Sequence, residues 1–210
     1  MQSKLQNLAR FPARVMTRLS APIRRLHDDR KGVAAVEFAL IAPIMLVMLI
    51  GLFECGYALT VDRRTTQVAS AIAELTARAP ATGLTSADVA SLMLIGNQLM
   101  KPYPVAPLTV KVVSAKVNAT LQIVVDWSLD SSGGTPYARN SSYATPAGLI
   151  VNAGDSVILA EASYLYTPPV IHYFLPSSFT LKETFYLKPR NSSCVNLFPI
   201  NCVTGGLISK

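Results

Sequence analysis

Between Phe38 and Phe53 sixteen residues pass without a charged side chain, and the apolar character continues past Glu54 to Val61. As a helix, Phe38 to Leu59 would be roughly 33 Å long, enough for a hydrocarbon core of about 30 Å. Ile41, Ile44, Met45, Leu46, Val47, Met48, Leu49 and Ile50 leave no polar stripe, so a membrane helix is favoured over a buried helix of a soluble core. The chain as a whole is 50% hydrophobic and 15% charged, with mean hydropathy +0.36, too apolar for a disordered or ordinary soluble protein. Its 210 residues leave room for one compact domain beside the anchor.

The net charge of +7 is local: residues 1–31 hold eight basic side chains against Asp28 and Asp29, which leaves +1 for the rest. That asymmetry points to membrane topology and an anionic lipid surface, and argues against nucleic acid as a partner. Eight basic residues precede the run, while Arg63, Arg64 and Arg78 follow it, which keeps the N-terminus cytoplasmic. The remainder then lies outside that compartment, where Cys194 and Cys202 can pair; Cys55 is read as a small packing residue. A signal peptide competes, but the run is long for one and no small-x-small cleavage site follows before Arg63. A transit peptide competes too, although residues 4–26 read more simply as a basic amphipathic stretch on the cytoplasmic leaflet, interrupted by Pro12 and Pro22.

The boundary reads Arg30-Lys31-Gly32-Val33-Ala34-Ala35-Val36-Glu37-Phe38-Ala39-Leu40. A carboxylate at the edge of a bilayer core is costly, which makes Glu37 a functional candidate that needs a partner. With Gly32 followed five residues later by Glu37, this layout resembles the processing site of type IV pilin-like precursors in its Flp and Tad variant. The stretch Gly32 to Pro43, continued by Gly51-Leu-Phe-Glu54-Cys-Gly56, resembles the TadE-like family of pilus-assembly pseudopilins. Tyr164-Leu-Tyr166-Thr-Pro168 and Pro189-Arg190 are a weaker echo of that family's C-terminal half.

The resemblance implies a minor pilin or priming subunit of a Tad-type pilus in a bacterial inner membrane. A prepilin peptidase would cut between Gly32 and Val33, and Glu37, beside Phe38, would attract the new amine of Val33 on a neighbouring subunit. Its implied partners are other pilins, Tad pilus-assembly proteins, the peptidase and the lipid bilayer. The alternative is an uncleaved single-pass anchor whose periplasmic domain binds an envelope or secretion-machine component. Glu54, flanked by Gly51 and Gly56, is read either as an intramembrane helix–helix contact or as a wet residue at the outer headgroups. Pro43 should bend or loosen the span.

Three parts are expected: a basic leader over 1–32, a membrane helix over 33–62 and an α+β domain over 63–210. The helix should continue as a stalk through Val68, Ala71, Ile72, Leu75 and Ala79 to a stop at Pro80. Thr85 to Asp88 has capping-box spacing and opens a second helix to about Met100. Leu108–Val117 reads as a strand, and Asn118-Ala119 suits a tight turn. Leu121, Ile123, Val125, Trp127 and Leu129 alternate with mostly polar residues as in a half-buried strand. A polar loop over 131–148 and strands over Val157–Tyr166 and Phe179–Leu187 complete a small antiparallel sheet.

Catalysis has little to stand on. His27 and His172 form no pair with metal-ligand spacing, and no phosphate-binding loop or nucleophile elbow occurs. Asp126, Asp130 and Asp155 could be drawn as a calcium site but read more simply as solvated carboxylates. Asn118-Ala-Thr120 fits a glycosylation sequon, which means little if the source is bacterial. No enzyme, cofactor or metal is expected.

Overall fold

The computed structural model describes residues 32–174 and 177–202. The leader lies outside them except for Gly32, and His27 with it. The chain divides into two units, Met1–Ile50 and Gly51–Lys210. Helix α1 (Val33–Ala77) belongs to both, with Pro43 inside it. In the first unit it exposes Val36, Phe38, Leu40, Ile41, Ile44, Met45, Leu46, Val47 and Met48, an apolar surface left largely uncovered among the described residues.

The second unit is α+β, as expected. It combines the later turns of α1 with α2 (Ser86–Met100) and strands β1 (Leu108–Val117), β2 (Ile123–Asp130), β3 (Ser156–Tyr166) and β4 (Phe179–Leu187). The sheet is antiparallel in the order β2-β1-β3-β4.

α1 turns Val61, Val68, Ala69, Ile72 and Ala73 into the core. Leu75, expected on that face, is 37% exposed instead. The buried face is completed by Thr65 and Thr76, whose hydroxyls donate to the carbonyls of Val61 and Ile72 at 3.0 and 2.8 Å. α2 begins at a true capping box: Asp88 N–H donates to Thr85 Oγ1 at 3.2 Å, and Thr85 N–H to Asp88 Oδ2 at 2.8 Å. At Gly96 an added Cβ would stand 3.0 Å from both Val68 and Ile72, so glycine lets α2 lie close on α1.

α1 ends at Ala77, before Pro80. Its last carbonyls have no partner within the helix. Arg190 N–H donates to the Ala77 carbonyl at 2.9 Å, and the Asn191 amide to those of Arg78 and Ala79 at 2.8 and 3.1 Å. The Arg190 guanidinium also bonds Glu74 at 2.8 Å.

β2 departs from its expected form in two ways. It starts at Ile123, because Leu121 takes a left-handed turn conformation (φ 58°) and is exposed. Asn118 Oδ1 holds that turn by accepting from the N–H groups of Thr120 and Gln122 at 3.0 and 2.9 Å. Second, Ser114 pairs with Trp127 but Ala115 pairs with Val125, so Asp126 is the extra residue of a β-bulge. The alternation therefore changes face: Trp127 and Leu129 join the helices, whereas Val125 and Ile123 turn to the opposite side. That side is covered by Tyr137, Tyr143, Leu149 and Ile150 of the connection between β2 and β3, so the strand is buried on both faces rather than half-buried.

Candidate functional site

Glu54 sits at the N-terminal end of the α1 face that carries Val61 and Val68. It is 6% exposed. Its Oε1 accepts from the N–H of Val170 and, at 3.0 Å, from the N–H of Ile171. These donors open a short 3-10 turn, Ile171–Tyr173, between β3 and β4. Tyr166 Oη donates to the Glu54 carbonyl at 3.4 Å, and Glu54 Oε2 is buried with no hydrogen-bond partner. The carboxylate is thus held by its own chain through one of its two oxygens.

Aromatic rings surround the clasp. Tyr57 meets Tyr103 edge-on with centroids 5.1 Å apart and Tyr166 at 6.1 Å; Tyr166 meets Phe179 at 5.1 Å. Burial, followed by the charge of Glu54, pushes the Tyr166 hydroxyl up to about 12.

The other sequence-derived candidates fall in separate places. Gly32 immediately precedes α1, and Val33, Glu37 and Phe38 occupy its first turns, all exposed and all in the first unit. Glu54 is in the second. Cys194 and Cys202 form the expected disulfide, with Cα atoms 6.1 Å apart. Cys55 is exposed, contrary to the packing role read for it.

Asp126, Asp130 and Asp155 do not form a cation site: among the described residues no group of three or more His, Cys, Asp or Glu side chains is placed to hold a metal. Asp130 Oδ1 accepts from the N–H groups of Ser132 and Gly134 at 2.9 and 2.8 Å, and Asp155 Oδ2 from those of Val151 and Asn152 at 3.2 and 3.1 Å. These bonds, with that of the Ser132 hydroxyl first for Asp130, hold both carboxyls below the usual range. Asp126 is fully buried, with Lys116 Nζ at 3.0 Å and the Arg139 guanidinium at 3.6 Å, so it is not a solvated carboxylate either.

Sequence reasoning missed a further polar group. Glu161 on β3 accepts from the hydroxyls of Tyr137, at 3.0 Å, and Tyr143, and Lys111 stands 3.9 Å away. Burial first, then the bonds to Glu161, raises both phenols. With its carboxylate satisfied by two donors and a cation, the group pins the connecting loop to the sheet and holds no activated nucleophile.

Residues 32–74 match the family model described as TadE-like protein. The chain carries a TadE-like segment. It runs from the glycine before α1 nearly to that helix's end, and it includes Glu37, Glu54 and Glu74. No curated protein and no solved structure matches the chain. Within the TadE-like segment, Glu54 and Glu74 both bond to later parts of the chain, Glu54 to the turn after β3 and Glu74 to Arg190 after β4.

Proposed function

We propose that this protein is a non-enzymatic pilus-assembly pseudopilin or minor pilin of a Tad-type pilus, anchored in the inner membrane by one helix. The observation that carries the reading is the coincidence of the TadE-like match, residues 32–74, with a helix long and apolar enough to cross a membrane. Its N-terminus is cytoplasmic and its α+β domain periplasmic, in keeping with the basic leader and the Cys194–Cys202 disulfide. A prepilin peptidase cuts between Gly32 and Val33. The freed amine of Val33 and the carboxylate of Glu37 on a neighbouring subunit then neutralise each other where a lone charge is expensive. Its partners are other pilins and Tad assembly proteins.

The experiment is N-terminal sequencing of the protein from its own host, beside a Gly32→Leu variant. The wild type should begin at Val33, and the variant should be heavier by about 3.5 kDa, the mass of the leader. Equal masses would favour the second reading, an uncleaved anchor with a binding domain. Glu37→Gln should leave insertion and cleavage intact and abolish pilus assembly.

A further inference from the structure

We infer that the turn after β3 is a membrane-interface wedge: Tyr173 and Phe174 insert into the headgroup–acyl boundary of the leaflet that α1 leaves at Phe53. This rests on the reading of α1 as a membrane span. Tyr173 and Phe174 are each 84% exposed, the most exposed large hydrophobic side chains among the described residues. Their position relative to α1 is fixed within the second unit. The Glu54 carboxylate holds Val170 and Ile171, and the preceding helix residues Leu52 and Phe53 are each 72% exposed at the end of the charge-free run.

The turn's backbone is prepared for a poorly hydrated setting. Backbone N–H groups facing lipid are costly unless they are bonded within the protein. Pro168 and Pro169 have none, Val170 and Ile171 give theirs to Glu54, and Tyr173 and Phe174 donate to the carbonyls of Val170 and Ile171 at 3.2 and 2.9 Å, which leaves the N–H of His172 for the headgroup water. From Leu165 to Leu181 the sequence contains no Lys, Arg, Asp or Glu. An amphipathic tyrosine beside a phenylalanine suits the interface, where one end of a ring is apolar and the other wet. Glu54 thereby acquires a reason to be buried beside a membrane: it supplies the acceptor that lets this turn approach lipid.

The test is depth-resolved quenching of the full chain in phosphatidylethanolamine–phosphatidylglycerol vesicles with brominated acyl chains. Tyr173→Trp and Phe174→Trp are the probes, Phe53→Trp reports the span, and Leu121→Trp, at an exposed turn, is the aqueous reference. The native Trp127 is buried and supplies a constant background. Bromolipid should remove about half of the emission added by Tyr173→Trp and Phe174→Trp, and little of that added by Leu121→Trp. Quenching at Phe53→Trp without quenching at either turn probe would overturn the wedge and leave the span standing. Blue-shifted but unquenched emission at the turn would also overturn it, by showing burial against protein. No quenching at Phe53→Trp would overturn the span reading and the wedge together.

Discussion

Lys116 Nζ stands 3.0 Å from Asp126 Oδ1 and donates, also at 3.0 Å, to the carbonyl of Cys202. The bulge residue of β2 is therefore tied through one ammonium group to the disulfide-closed tail. A buried carboxylate is tolerable only while its counter-ions remain, and removing one leaves an uncompensated charge. Lys116→Met should cost about 3 kcal/mol, read by urea unfolding of the detergent-solubilised chain with Trp127 emission as probe. Adding Asp126→Asn should return part of that loss. Additive losses would mean the two side chains act independently.

Glu54→Ala leaves the N–H groups of Val170 and Ile171 without their acceptor. The expected cost is about 2 kcal/mol, and amide exchange should accelerate at those two residues while β3 remains protected. Glu54→Gln, which keeps an acceptor oxygen, should preserve most of the protection. Unchanged exchange in Glu54→Ala would show that the clasp does not order the turn.

Alkaline pH should loosen the second unit. An unfolded tyrosine ionises near 10, whereas burial, ahead of the Glu54 charge, raises Tyr166 to about 12. Below about 10 the contribution is whole; from there upward the unfolded chain loses its proton first, so stability falls as pH climbs through about 12. Tyr137 and Tyr143 add to the same slope. Thermal midpoints measured above pH 10 should fall less steeply in Tyr166→Phe, and a parallel decline would remove Tyr166 from the account.

Much of this architecture could be read from local pattern. The long helix, the capping box at Thr85, three of the four strands and the cysteine pair all depend on residues close in sequence. Leu75 and β2 misled because periodicity cannot report what packs on the second face. A better signal was present: Ile123-Val124-Val125 and Val157-Ile158-Leu159-Ala160 are continuous apolar runs, which fit strands covered on both sides. The lone acid in Val125-Asp126-Trp127 likewise marked either a bulge or a buried charge. Nothing local could reveal the Glu54 clasp, since its donors lie 116 and 117 residues later, after three of the four strands.

The disulfide should matter for the tail more than for the fold. Alkylation of the unfolded, unreduced protein should modify one thiol, Cys55, and reduction should expose two more. Replacing Cys194 and Cys202 by alanine should cost about 2–3 kcal/mol for so short a loop. Three thiols before reduction would refute the bridge in the isolated protein.

The end of α1 has a consequence for the order of synthesis. Ala77, Arg78 and Ala79 present carbonyls whose partners are Arg190 and Asn191, and the buried indole of Trp127 donates to the Val195 carbonyl at 2.7 Å. A ribosome makes the helix first and the partners that close it only after all four strands. A chain truncated after Pro189 and freed from the ribosome should hold the four strands yet stay open to protease at the helix end, and restoring residues 190–202 should lock it.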